Sequence, residues 1–134
     1  MELIVQKFGG ATLADLGKIK SVAVRIHELK KSKKNIIVIV STMGKTTDTL
    51  IAQSYNLSEH PNQRELDVLL STGEVIPASY LAIALNDLGR PAISFTGTHA
   101  GFIIRSNSLA SPIFRNKKYS FSSASSLGKI RNWY

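Results

Sequence analysis

With 134 residues the chain has room for one ordinary domain and not for two full ones. Hydrophobic residues at 43% and charged residues at 19% allow a packed core, and the lack of cysteine excludes a disulfide scaffold, a cysteine-ligated zinc site and a cysteine nucleophile. The net charge of +8 suggests nucleic acid at first sight, but its distribution argues otherwise: up to Ile104, 11 Lys and Arg stand against 9 Asp and Glu, whereas Arg105 to Tyr134 holds 6 basic residues and no acid.

Along the chain, Glu2–Phe8 is rich in Leu, Ile and Val and predicts a strand that ends at Gly9-Gly10. Leu16, Ile19, Val22, Ala23, Ile26 and Leu29 then recur at three- and four-residue spacing. They predict an amphipathic helix with Thr12 or Asp15 as N-cap, and with Lys30, Lys31, Lys33 and Lys34 at the end where the helix dipole favours cations. That lysine cluster reads as a solvated helix end before it reads as a phosphate patch. Asn35–Val40 holds five consecutive β-branched residues, Ile36 to Val40, as expected of a strand buried on both faces. A polar loop from Ser41 to Asp48 follows, then helices predicted at Thr47–Leu57, Arg64–Ser71 and Glu74–Leu88, with Pro77 in the first turn of the last. Gly89-Arg90-Pro91 stops it and Ala92–Phe95 predicts a further short strand. No apolar run approaches the ~20 residues of a membrane span, and Met1 to Lys7 lacks the basic-then-apolar order of a signal peptide. A soluble, cytoplasmic protein without a membrane partner is expected.

This alternation predicts an α/β fold, a three-layer sandwich with a mainly parallel sheet. Composition breaks near residue 105: from Ser106 on, 8 of 29 residues are serine. The expected organisation is a folded segment over 1–104 and a basic, serine-rich, mobile tail over 105–134. Ligands of such sheets bind beyond the carboxyl ends of the strands. Gly9-Gly10-Ala11-Thr12, Ser41–Thr47 and Thr96-Gly97-Thr98 all fall there, and their convergence at one sheet edge is a stronger signal than any one loop.

The chemistry of these loops has a functional and a plain reading. Lys7-Phe8-Gly9-Gly10 puts an ammonium beside a glycine turn whose N–H groups can approach a phosphate; the plain reading is a tight strand-to-helix turn with a surface lysine. The P-loop spacing is absent. Glu74, at a predicted helix start, is a carboxylate for a substrate ammonium or simply a partner of the helix dipole. Thr46 and Thr47 bind a substrate carboxylate or cap the next helix. His99 has no His, Asp or Cys partner nearby in sequence and reads as an ordinary loop histidine. No residue is assigned to a metal.

Val5–Gly10, Val40–Asp48, Arg64–Glu74 and Ser94–Gly101 together resemble the successive N-terminal motifs of bacterial aspartate kinases, members of the amino-acid kinase superfamily, in family order and at family spacing. The resemblance implies transfer of the ATP γ-phosphoryl group to the side-chain carboxylate of L-aspartate, the first step toward lysine, threonine and methionine. It places Lys7, Phe8, Gly9 and Gly10 on ATP, with Lys7 on the phosphates and catalytic. It places Thr47 and Glu74 on aspartate, with Ser41 at the same edge. Magnesium is expected to accompany the nucleotide.

The sequence departs from that pattern at Ala11-Thr12, Lys45, Val75, Pro77 and His99. Beyond Ile104 the family's Ser-Asp loop and Asp-Gly nucleotide segment have no counterpart, and no regulatory ACT-domain sequence is seen. The expectation is an N-terminal half with an unrelated ending: an aspartate kinase in truncated, inactive form that forms homo-oligomers or self-associates through surface left uncovered. The alternative is a non-catalytic interaction or nucleic-acid-binding protein using the tail, with Phe114, Tyr119, Phe121, Trp133 and Tyr134 among its charges. No ordered basic–aromatic repeat is visible there, so nucleic acid is not the expected partner.

Overall fold

The computed structural model describes residues 3–30, 35–97 and 99–100, together with the backbone course of 102–104 and 113–116. The chain divides into two compact units, Met1–Ser94 and Phe95–Tyr134. Each is described by itself. This division lies upstream of the composition break near 105.

In the first unit, β1 (Leu3–Phe8) pairs in parallel with β2 (Asn35–Val40), Leu3 opposite Asn35 and Phe8 opposite Val40. A single 3-10 turn (Gly10–Leu13) leads from β1 into α1 (Leu16–Lys30). Asp15 caps that helix, its Oδ1 accepting from the Lys18 N–H at 2.8 Å. Of the two caps expected, the structure selects Asp15. Asp15→Ala is expected to lower stability by about 1 kcal/mol, read from urea unfolding; an unchanged midpoint would show the cap to be idle. The cluster Lys31, Lys33 and Lys34 lies outside the described residues.

The middle of the α1 stripe behaves as its spacing predicts, whereas Leu16, at its start, is 56% exposed and Leu29, at its end, is half-buried. Ile19, Val22, Ala23 and Ile26 are buried with Phe8, Leu13, Leu81 and Leu85, and Ile36, Val38 and Val40 pack against them. The pleat sends alternate residues to opposite faces, so these β2 residues cover one face of the sheet. On the other face Leu3, Val5 and Ile39 are 56%, 57% and 48% exposed. Among the described residues of this unit the α/β fold therefore has the sheet and one helical layer.

Two helices follow, α2 (Thr46–Leu57) and α3 (Gln63–Asp87). The separate helices expected at 64–71 and 74–88 are one continuous helix of 25 residues. Gly73 and Pro77 look like breaks in the sequence, yet both are buried inside it. Proline's fixed φ suits a helix, but inside one it loses its N–H bond and its ring crowds the carbonyl four residues back, a cost that the burial of Pro77 offsets, while the missing side chain of Gly73 permits close packing against α2. Pro77 is thus interior and not in a first turn, and Glu74 is mid-helix, which removes the helix-start reading of its carboxylate.

Joined in this way, α3 is long and apolar enough by length and composition to cross a membrane, with a mean hydropathy of 1.6 over its most apolar window. This corrects the expectation that no such stretch exists. Its cap and packing belong to the α/β unit: Asn62 Oδ1 accepts from the Arg64 and Glu65 N–H groups at 3.0 and 3.3 Å, and Leu81 and Leu85 enter the core beside α1.

The stop after α3 is the one expected. Gly89, at φ +69°, donates to Asn86 O at 3.0 Å, and Arg90 donates its N–H to Leu85 O at 2.9 Å, the paired bonds of a Schellman ending. Arg90 Nε also donates to His27 Nδ1 at 3.2 Å, tying the turn to α1. The strand expected at Ala92–Phe95 does not form. Asn86 bonds both backbone groups of Ala92, its Nδ2 donating to Ala92 O and its Oδ1 accepting from Ala92 N, each at 3.0 Å. The Ala92 N–H is thereby withdrawn from any ladder.

In the second unit, β3 (Phe102–Ile104) pairs antiparallel with β4 (Ile113–Asn116), with a register irregularity between Ile103 and Ile104. The expected structureless tail thus contributes one strand, whose Ile-Phe pair has β propensity. The remaining tail residues lie outside the described set.

Candidate functional site

The carboxyl ends of β1 and β2 lie side by side because the strands run in parallel register, Lys7 opposite Ile39 and Phe8 opposite Val40. Lys7 is exposed, on the bare face of the sheet. Phe8 is 6% exposed and sits in the core, with the Arg25 guanidinium 6.0 Å from its ring centroid. What Phe8 can offer a ligand is its backbone.

The two glycines differ in kind. A Cβ on Gly10 would stand 2.7 Å from the Thr42 carbonyl oxygen and 3.5 Å from that of Gly44, and Gly44 donates its N–H to Gly10 O at 3.1 Å. Gly10 is therefore where the loop after β1 touches the loop after β2. A Cβ on Gly9 would meet nothing within 4 Å, so its backbone is open to a ligand on that side. Gly10→Ala should cost about 1–3 kcal/mol through backbone overpacking, while Gly9→Ala should stay within about 0.5 kcal/mol. Thermal unfolding checks both, and equal losses would contradict the distinction. Lys18 Nζ donates to Ala11 O at 3.1 Å and steadies the 3-10 turn.

In the second loop Ser41 is half-buried, directly after β2, and Thr42 is 8% exposed. Gly44, at φ +50°, makes the left-handed turn that leads into α2. Thr46 Oγ1 donates to Met43 O at 2.6 Å and is thereby committed to the turn. Thr47 Oγ1, half-buried, donates to Thr42 Oγ1 at 3.2 Å.

The third motif arrives on α3. A Cβ on Gly73 would lie 3.3 Å from Thr42 Cγ2, 3.4 Å from Thr46 Cγ2 and 3.5 Å from Leu50 Cδ1. Glu74, the next residue, is exposed. Three motifs far apart in sequence thus meet at one residue. Thr42 touches Gly10 through its carbonyl, Thr47 through its hydroxyl and Gly73 through its methyl. Sequence reading passed it over, although its place just beyond the carboxyl end of β2 is the available signal.

Of the third loop expected at this edge, Thr98 lies outside the described residues. Thr96 and Gly97 belong to the second unit, where Thr96 Oγ1 accepts from the His99 N–H at 3.2 Å and Thr96 O from the Ala100 N–H at 2.9 Å. His99 is an exposed turn residue there. Among the described residues, no three His, Cys, Asp or Glu are grouped so as to hold a metal ion.

Comparison with known proteins shows the family of the chain. A sequence model of the amino acid kinase family matches residues 2–130. The chain is similar to the aspartokinase of Bacillus sp. (strain MGA3), 46% identical over 118 residues, which cover 88% of this chain and 27% of that protein. It is similar to the aspartokinase of Mycolicibacterium smegmatis, 47% identical over 103 residues, covering 77% of this chain and 24% of the relative. A crystal structure of aspartate kinase from Synechocystis superposes with a TM-score of 0.68 at 43% identity, over 75% of this chain and 17% of that one. The chain spans about a quarter of the length of the curated relatives it matches.

Proposed function

Because the chain belongs to the amino acid kinase family, we propose that it carries the N-terminal part of an aspartate kinase site, one that transfers the γ-phosphoryl group of ATP to the side-chain carboxylate of L-aspartate. The observation that supports this reading is the meeting of the glycine loop, the threonine loop and the Gly73-Glu74 segment around Thr42.

The reaction asks little covalent chemistry of the protein. A carboxylate of pKa about 4 is ionised at neutral pH and is itself the nucleophile. The work is to hold two anions together and to stabilise charge between them. The open backbone at Gly9 and the exposed ammonium of Lys7 fit the phosphate end of ATP. Magnesium carried in with the nucleotide would supply neutralisation of the phosphate charge. Thr47, with Ser41 at the same edge, takes a carboxylate of aspartate, and Glu74 takes its ammonium.

In this reading the protein acts in the cytoplasm. The 134-residue chain alone makes no aspartyl phosphate, since the described residues supply one side of a phosphoryl-transfer site. The bare sheet face, with Leu3, Val5 and Ile39 exposed, drives self-association. Sedimentation at micromolar concentration is expected to show species larger than a monomer, and a single monomeric boundary would contradict that.

The test of function is an in-frame fusion of this chain to the remaining three-quarters of the Bacillus sp. (strain MGA3) aspartokinase. Hydroxamate trapping should detect aspartyl phosphate from the fusion and none from the chain alone. A folded but inactive fusion would refute the reading, and so would a fusion active on another amino acid and not on aspartate.

A further inference from the structure

We infer that Thr42 is a positioning residue for the carboxylate-binding hydroxyl of Thr47, an inference that rests on the aspartate reading above. A hydroxyl has one proton to donate and two lone pairs to accept with, and its rotor turns to suit its partners. Thr47 Oγ1 donates to Thr42 Oγ1 at 3.2 Å. With its proton on that bond Thr47 presents lone pairs outward, the wrong polarity for a carboxylate; with the bond reversed it presents its O–H.

A carboxylate arriving at Thr47 requires that proton. Thr47 can release it toward the ligand without loss only if Thr42 turns its own O–H toward Thr47 in exchange. Thr42 is able to do this: it is 8% exposed, and its methyl side is fixed against Gly73. The second hydroxyl thus holds the first in place in both states and lets its polarity reverse when the ligand binds. Thr46 cannot substitute, because its hydroxyl is held by Met43 O at 2.6 Å.

Two substitutions separate the parts of this side chain. Thr42→Val keeps the shape and the methyl that packs on Gly73 and removes the hydroxyl. Thr42→Ser keeps the hydroxyl and removes the methyl. L-Aspartate is titrated into the full 134-residue chain and its affinity read from amide chemical shifts, with unfolding temperature measured in parallel.

The expected result is that Thr42→Val weakens L-aspartate about fivefold, the effect of one lost hydrogen bond, at an unfolding temperature close to that of the parent. Thr42→Ser should bind within about twofold of the parent even where it unfolds earlier. Parent-like affinity in Thr42→Val overturns the inference and leaves the aspartate reading standing. If Thr42→Val fails to fold, Thr42→Ser decides: an affinity as low as that of Thr47→Ala overturns it. Absence of L-aspartate binding by the parent chain at these residues overturns the aspartate reading itself and the inference with it.

Discussion

In the fusion enzyme, Lys7→Ala is expected to lower kcat about 100-fold, the usual scale for removing one preorganised charge from a transition state, with little change in the KM for aspartate. The ammonium stands exposed at the carboxyl end of β1, three residues before the contact of Gly10 with Thr42. Charge on a transferring phosphoryl group is best stabilised where it develops, so the loss belongs in kcat. Glu74→Ala should behave differently. The carboxylate follows Gly73, whose backbone is packed on the threonine loop, and its proposed partner is the aspartate ammonium, present before and during reaction. Removing uniform binding of that kind raises KM and leaves kcat nearly unchanged. Equal losses in kcat and KM for both variants would contradict the assignment of roles.

The second large effect is on the fold. Leu13→Ala is expected to cost about 2–5 kcal/mol, the range for a large-to-small change at a fully buried site. Leu13 is 0% exposed and joins the glycine turn to the core under α1. Domains have only about 5–15 kcal/mol to lose, and this unit leaves one sheet face bare, so the variant should be largely unfolded near room temperature. Far-UV circular dichroism during urea titration measures it. Val24→Ala, at a residue 50% exposed on the same region's surface, is the control and should stay within about 0.5 kcal/mol. A loss below 1 kcal/mol at Leu13 would mean that the core described around it does not hold the unit together.

The parts of this architecture that could be read from sequence are those fixed by local periodicity. β1, β2 and α1 follow from alternation, from a β-branched run and from three- and four-residue spacing; β2, however, was expected to be buried on both faces and is covered on one only, with Ile39 48% exposed, because the run of β-branched residues does not say how many layers pack on it. Gly89 marked a helix end correctly because its left-handed φ is a local requirement. α3 was misread for a physical reason. Gly73 and Pro77 are local helix breakers whose cost is offset by tertiary contacts, Gly73 against Thr42, Thr46 and Leu50 and Pro77 by burial, and no window of sequence contains those partners. The strand expected at Ala92–Phe95 failed through the Asn86 side chain, six residues upstream of Ala92.

The same division applies to the site. Lys7, Gly9, Gly10, Ser41, Thr47 and Glu74 stood out through motif resemblance. Thr42 did not, because its importance is a matter of which loops meet there. The distinction between Gly9 and Gly10 was equally invisible: as neighbouring glycines they look equivalent, and only the Thr42 O that a Cβ on Gly10 would meet at 2.7 Å shows that one serves the fold while the other leaves its backbone open.

The most direct test of the central claim, that the three motifs form one aspartate site, is an amide chemical-shift map of the 134-residue chain titrated with L-aspartate and, separately, with succinate, which lacks the ammonium group. The account predicts that aspartate shifts Thr42, Thr47, Glu74 and their neighbours as one set, and that succinate shifts the threonine loop and leaves Glu74 unmoved. Shifts confined to the basic residues from Arg105 onward, the same for both ligands, would contradict it and mark the binding as simple attraction of anions to a positively charged segment.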